Sequence, residues 1–333
     1  MDFWGLLKLH LRVRGFAKAR FLVVSNAIDS EYYRVEAIAP CKSRAGRLEI
    51  SVSEDVPSSS RTLGRLKDFL HAWWPLFDLY SQESPPLKRQ WEFSGSDAGH
   101  PELLSMEGED RRRVIPDLYA IELSRQTNRP RWNSLTEFRQ TYFQRRPIVF
   151  WRGSTTGFMR GRSPEELLLS NRRVAVCRAM RALGPQFDMG ISRVTTQAGL
   201  NRAKGVTVLR DLGVFEPEVS ESDFMGSRYF PSLPGNAQPW GSLRKMLQGN
   251  LIFASSTNKK LLYQFELRQG EHYLQVKDDF SDLPLLKDWA DANPDAASGI
   301  AYEGALAAQR YLDALGETMA KTVKEGGTSL LAV

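Results

Sequence analysis

The sequence predicts an α/β protein organised as two domains, and three observations lead there. The chain is 333 residues long, more than a single core usually serves, which points to two domains of about 150 residues each. Its second half alternates apolar runs of strand length with segments of helical periodicity. Finally, the apolar run Pro147-Ile148-Val149-Phe150 breaks into Trp151-Arg152-Gly153-Ser154-Thr155-Thr156-Gly157-Phe158-Met159-Arg160, a strand that gives way to glycines and hydroxyls with an arginine at either end.

Composition narrows the class. Hydrophobic residues make up 42% and charged residues 25% of the chain, as in ordinary globular proteins, and no stretch approaches the roughly 18–20 apolar residues of a membrane span. Phe3-Trp4-Gly5-Leu6-Leu7 is too short an apolar region for a secretory leader and runs at once into Lys8, Arg12, Arg14, Lys18 and Arg20. A cytoplasmic protein is expected. The same segment, residues 3–20, reads either as an amphipathic core helix or as a peripheral contact with an anionic inner membrane. Cys41 and Cys177 allow at most one disulfide, and the four histidines are scattered without metal-ligand spacing, so no zinc site is expected.

The net charge of +6 is unevenly spread, with Arg111-Arg112-Arg113, Arg145-Arg146, Arg152, Arg160, Arg162 and Arg172-Arg173 falling close together. Such clustering favours an anionic partner. A pair such as Arg172-Arg173, considered alone, reads as solvated surface. No recognisable module and no aromatic residues interleaved with the basic ones suggest nucleic acid as that partner.

In chain order, Phe21–Val24, Tyr32–Ile38 and Arg47–Val52 read as strands. Leu63, Leu66, Phe69, Leu70, Trp73 and Trp74 recur at helical spacing after Pro57-Ser58-Ser59-Ser60, so the tryptophans are expected in a core. Residues 83–108 turn to Ser, Pro, Gly and charge and read as loop with short ordered pieces. Arg113 to Leu123 reads as a strand, and Leu135 to Phe143 as a helix leading into the strand at 147, with the domain boundary near it, dividing 1–140 from 141–333. Pro164 to Ala182 has the period of one helix and Asp188 to Val194 that of a short strand, while residues 200–230 read as irregular. Pro231 to Ser242 is a loop of turn formers and side-chain amides opening the helix Leu243–Leu247, before the buried strand Gly249–Phe253.

The loop at 151–160 carries the chemistry. Glycines let backbone N–H groups approach an anion, hydroxyls donate, and arginines fork onto phosphate. The spacing is neither that of a Walker loop nor Gly-x-Gly-x-x-Gly, and an ordinary strand-to-loop turn with surface arginines is the competing reading. The loop feeding the helix at 243 is a second natural place for a phosphate or sugar hydroxyls.

Three segments together resemble a known family: Trp151-Arg152-Gly153-Ser154-Thr155-Thr156-Gly157, then Gly235-Asn236-Ala237 to Gly249-Asn250-Leu251-Ile252-Phe253, then His272-Tyr273-Leu274-Gln275-Val276-Lys277-Asp278-Asp279-Phe280-Ser281-Asp282-Leu283. In this order and spacing they resemble glycosyltransferase family 90, which holds the capsule-associated-protein type enzymes, protein O-glucosyltransferases and bacterial lipopolysaccharide glycosyltransferases. The resemblance covers about Arg113 to Arg310. It implies a GT-B architecture, two Rossmann-like domains facing across a cleft, with residues 1–140 on the acceptor side and 141–333 binding the nucleotide sugar. It implies transfer from a UDP-sugar to a lipopolysaccharide-core or capsular polysaccharide acceptor, with the UDP-sugar as co-substrate and no metal or other cofactor. The absence of Asp-x-Asp from the chain agrees, since a metal would need carboxylates against the diphosphate.

The resemblance also assigns residues. Ser154 and Arg160 match positions that contact the diphosphate, within the cradle Arg152, Gly153, Ser154 and Thr155. Asn236, Ala237, Gln238 and Trp240 match the loop beside it. The family's arginine after that loop falls on Gly241 here, leaving Arg244 or Lys245 as substitutes. The aspartate that serves as base in the protein glucosyltransferases falls on Gln126, which cannot take a proton. Asp117 and Glu122 are the nearby candidates, Asp117 the stronger, although a carboxylate after Pro116 can equally serve backbone donors. Asp278, Asp279 and Asp282 read as structural or helix-capping, and Lys277 as either a donor contact or surface. Gln126 also leaves open a non-catalytic binder of nucleotide or glycan on the same fold.

Overall fold

The computed structural model describes residues 105–196 and 200–325, and elsewhere the strand segments 20–21, 32–38, 47–52, 88–94 and 328–330. It forms two compact units, one of residues 1–122 with 314–333 and one of residues 123–313.

In the first unit, strands β1 (Arg20–Phe21), β2 (Tyr32–Ile38), β3 (Arg47–Val52) and β4 (Lys88–Ser94) join the strand Thr328–Leu330 in one sheet, in the order β1-β3-β2-β4 and then Thr328–Leu330. Only β1 and β3 run parallel; the other pairs are antiparallel. The link from Ile38 to Arg47 is too short for a crossover helix, so β2 and β3 can pair only antiparallel. This sheet therefore differs from the Rossmann-like one expected. β4 lies in the segment expected as loop, where Ser and Pro on its flanks mask the alternation of Trp91 and Phe93. The expected helix from Leu63 to Trp74 and residues 3–19 lie outside the described residues.

The expected strand Arg113–Leu123 is also corrected. A 3-10 turn spans Arg111–Arg113 and helix α1 spans Leu118–Ser124. Asp117 makes the difference: its Oδ1 accepts the Ala120 N–H at 2.9 Å, capping the helix as aspartate does where four backbone donors lack partners.

The second unit holds an all-parallel sheet of β5 (Arg146–Ser154), β6 (Phe187–Arg193), β7 (Ser227–Ser232), β8 (Leu251–Ser255) and β9 (Leu274–Val276), in the order β6-β5-β7-β8-β9. Val149, Met189, Ile191, Leu251 and Phe253 are fully buried in it. Parallel strands covered on both faces read as apolar runs, which is why β5 and β8 were legible, while the edge strand β6 shows instead the alternation of Phe187, Met189 and Ile191.

Helix α2 (Leu135–Gln144) opens at Ser134, whose Oγ accepts the Glu137 N–H. Its fully buried Phe138 packs edge-on against Trp132 and Tyr302, and Trp132 Nε1–H donates to the Leu247 carbonyl at 2.9 Å. These contacts place α2 in the core of the second unit, so the division falls after Glu122 rather than near 140. Residues 314–333 group with the first unit, where Thr328–Leu330 pairs with β4.

Between β5 and β6 the expected single helix is two, α3 (Pro164–Leu169) and α4 (Arg172–Arg181), because Asn171 starts a new cap. Between β6 and β7, expected as irregular, lie α5 (Arg202–Asp211) and α6 (Glu221–Met225), and β7 itself was missed. Helix α7 (Ser242–Leu247) follows β7, and α8 (Leu283–Ala292) and α9 (Pro294–Asp313) follow β9. No helix among the described residues is long and apolar enough to cross a membrane.

The strand order positions the site. From β5 the chain steps to β6 on one side, then returns to β7 on the other. The loops leaving β5 and β7 diverge at that point, and ligands of open parallel sheets bind in the crevice this leaves at the strands' carboxyl ends. Phe138→Ala, which empties the middle of the α2 contact, is expected to lower unfolding free energy by about 3–5 kcal/mol in urea denaturation.

Candidate functional site

The loop after β5 is held in shape by buried side chains. Trp151 and Gly153 share one face of the strand, and a Cβ on Gly153 would meet Trp151 Cζ2 at 2.5 Å. The tryptophan alone therefore requires a glycine at 153. Beyond Ser154 the backbone needs glycine where φ is positive, at Gly157 (φ 126°) and Gly161 (φ 157°). Thr155 is fully buried; its Oγ1 accepts the Thr195 N–H at 2.9 Å and its carbonyl accepts Asn171 Nδ2 at 3.1 Å. Asn171 uses its Oδ1 to accept the N–H groups of Arg173 and Val174 at 3.1 and 3.2 Å. One side chain therefore caps α4 and holds its positive end beside the loop.

Arg173 joins this loop to the one after β7. Its Nη1 donates to the Ser154 carbonyl at 3.1 Å and to Thr156 Oγ1, its Nε to the Pro234 carbonyl at 3.1 Å, and its Nη2 to the Leu233 carbonyl at 2.8 Å. The guanidinium lies 5.6 Å from the Trp151 ring centroid, and burial pushes its pKa down to about 10, so it stays charged at neutral pH. Gly235 closes the junction: a Cβ there would stand 2.7 Å from Thr156 Oγ1 and 3.0 Å from Arg173 Nη2. The reading of Arg172-Arg173 as solvated surface is thus corrected for Arg173. No spacing rule flags it; the available signal was Asn171, whose capping places the next residues at a helix start.

The structure brings together Ser154, Thr155, Asn236 and Ala237. Ser154 Oγ donates to Thr156 Oγ1 at 3.2 Å, and the Gly235 N–H donates to the Ala237 carbonyl at 3.1 Å, turning Asn236 outward where it is exposed. Gln238 and Trp240 follow, half-buried, before α7. Arg160 is exposed, its guanidinium 5.1 Å from the Phe158 ring centroid and its N–H bonded to Ser170 Oγ at 2.7 Å.

Three expected cations are occupied elsewhere. Arg152 donates to Asp188 Oδ1 at 2.5 Å and has Glu216 at 3.9 Å, with its side chain 8% exposed. Arg244 lies 3.7 Å from Glu221, and buried Lys245 bonds the same carboxylate over the Phe224 ring. Glu221 belongs to α6, which leads into the amino end of β7, so both side chains turn away from the crevice. In the loop after β9, Asp279 accepts the Ser281 N–H and Asp282 the Lys277 N–H, the structural role expected of them.

Asp117 stands in the first unit. It is 1% exposed, its Oδ1 caps α1, and its Oδ2 is buried with no hydrogen-bond partner. Desolvation raises its pKa from 3.8 to about 6, against smaller lowering by backbone N–H groups. Glu122 is exposed on the same helix. The Gln126 carbonyl accepts Arg129 Nε at 3.1 Å, and the residue is half-buried.

No family model and no curated protein matches the chain. Among solved structures it is similar to Alr3699/HepE from Anabaena, determined in complex with UDP, at 14% identity and TM-score 0.38, over 57% of this chain and 52% of that one. It is also similar to a sucrose-phosphate synthase from Thermosynechococcus elongatus, at 14% identity and TM-score 0.35, over 79% of this chain and 55% of that one. The chain thus spans about half the length of either structure, and likeness at this level fixes neither fold nor activity.

Two outcomes follow from this geometry. Arg173→Met leaves three carbonyls, one buried and two half-buried, without this donor and should cost about 3 kcal/mol of stability, with Arg173→Lys recovering only part, because one ammonium cannot span both loops. For Asp117, the folded pKa lies above the unfolded one, so its favourable contribution is full below 3.8 and lost as pH rises through about 6. Asp117→Asn keeps the cap oxygen and should be more stable than wild type by about 3 kcal/mol at pH 8, the advantage vanishing near pH 4 in denaturant titrations.

Proposed function

We propose that the chain is a glycosyltransferase that moves a sugar from a UDP-sugar donor to a lipopolysaccharide-core or capsular polysaccharide acceptor without a metal. The observation that carries the reading is that the loops after β5 and β7, which leave the switch point in opposite directions, are tied to each other at their start by Arg173. These are the two loops that the family resemblance assigns to the donor, and a diphosphate there meets loop hydroxyls and the positive end of α4. In this reading the second unit holds the donor and the first serves the acceptor, as in a GT-B enzyme. The enzyme works at the cytoplasmic face of the inner membrane as a peripheral protein.

Each residue then has a task. Ser154, Thr156 and the Asn236–Trp240 loop position the diphosphate, and Arg160 offsets the charge that builds on it as the glycosidic bond breaks. Thr155 and Gly153 keep the loop in shape. Arg152, Arg244 and Lys245, whose charges are met by carboxylates, support the scaffold. Asp117 takes the proton of the acceptor hydroxyl: a carboxylate with a pKa of about 6 is ionised at neutral pH yet basic enough to share a proton in the transition state.

The test is UDP release from a panel of UDP-sugars with and without lipopolysaccharide-core acceptor. Acceptor-stimulated release is expected, reduced at least tenfold in Arg160→Ala and about 10²–10⁴-fold in Asp117→Asn with UDP binding intact. Wild-type rate should fall as pH drops through about 6, where Asp117 protonates. UDP binding without turnover for any pair tried would replace the enzyme with a nucleotide-binding protein of the same fold, the reading that Gln126 favours.

A further inference from the structure

Arg173 is spent on joining the two loops, and Arg152 is met by Asp188, although its buried Nε has no hydrogen-bond partner. Arg172, the first residue of α4, has no carboxylate so close. Its Nη2 atom is buried and has no hydrogen-bond partner, and Asp278 Oδ1 stands 4.0 Å from it, beyond hydrogen-bond distance. The guanidinium also lies 5.6 Å from the ring centroid of Phe280. Phe280 is fully buried at a φ of 60°, a left-handed conformation that is strained for an aromatic residue and gathers at ligand sites.

Position adds to this. Arg172 follows Asn171, whose amide binds the Thr155 carbonyl, so its backbone is fixed against the cradle. Asp278 and Phe280 follow β9 at the far edge of the sheet. Their contact with Arg172 brings the loop after β9 to the helix that follows β5. Asp278 itself is 77% exposed and free to swing aside.

We propose that Arg172 is a further phosphate-binding residue of this crevice, held in reserve by Asp278, which gives way when a diphosphate enters. The proposal rests on the nucleotide-binding reading above. The Arg172 side chain is 40% exposed, but its Nη2 donor is buried without an acceptor, an unfavourable arrangement that a phosphate oxygen relieves, with a charge-assisted hydrogen bond in exchange. Asp278 supplies a loose counter-charge to the empty site, and its distance keeps it from competing strongly with the ligand.

Calorimetric titration of the full chain with UDP, inorganic pyrophosphate and uridine tests it. Wild type should bind UDP and pyrophosphate. Arg172→Gln should weaken both about tenfold or more while leaving any uridine binding unchanged, Arg172→Lys should recover part, and Asp278→Asn should bind UDP about threefold tighter. UDP bound equally well by wild type and a folded Arg172→Gln overturns the proposal and leaves the nucleotide reading standing. Pyrophosphate bound without UDP, and lost in Arg172→Gln, sustains Arg172 and removes the nucleotide reading; binding of neither sinks both. Should Arg172→Gln fail to fold, the exposed Asp278→Asn decides, and no gain in UDP affinity overturns the proposal.

Discussion

The site depends on one buried guanidinium. The loops leaving β5 and β7 turn the carbonyls of Ser154, Leu233 and Pro234 toward a common point, where three oxygens with no donor would repel one another and forfeit their hydration. Arg173 meets all three and Thr156 as well. A lysine has the charge but not the planar fork of five N–H groups needed to reach both loops. The glycine at 235 follows from this, since any side chain there would occupy the space of the guanidinium and of Thr156.

That arrangement divides the arginines of the second unit by role. Arg152 and Arg181 reach Glu216, with Asp188 completing the group around Arg152, and Cys177 lies among these cations but is fully buried, which pushes its thiol up to about 12 and leaves it inert. Arg244 and Lys245 share Glu221. Charge met by carboxylates within the fold is of little use to an incoming anion, so the count of basic residues in the sequence overstates what the crevice can offer. What remains near the loops is Arg160 on the surface and Arg172 at the start of α4.

Much of the second unit was legible because its strands are parallel and buried: β5 and β8 announce themselves as apolar runs, and β6 by the alternation of Phe187, Met189 and Ile191. β7 did not, since Ser227-Arg228-Tyr229-Phe230-Pro231-Ser232 carries polar residues at both ends and a proline within. The start of α1 was misread because Ile115-Pro116-Asp117 suits a strand end and a helix cap equally, and only the hydrogen bond to Ala120 separates them. The loops after β5 and β7 were legible from their glycines, hydroxyls and turn formers, but the contact that requires Gly153, with Trp151 two residues back, is one no spacing rule shows. Arg173 was missed because burial is a tertiary property, and nothing in Asn171-Arg172-Arg173-Val174 says which arginine turns inward.

The two halves of the proposed chemistry make opposite demands on their surroundings. A leaving diphosphate needs donors and positive potential, which the second unit supplies through a helix start, hydroxyls and arginines. A base needs the reverse: a cation close by would hold its carboxylate ionised and too weak to take a proton. Asp117 lies in the first unit, its pKa raised by desolvation with only backbone N–H groups opposing. Its second oxygen has no partner, so the lone pairs a hydroxyl proton would need are unspent. The cost is stability lost as pH rises through about 6, which a cap of asparagine or serine would not carry.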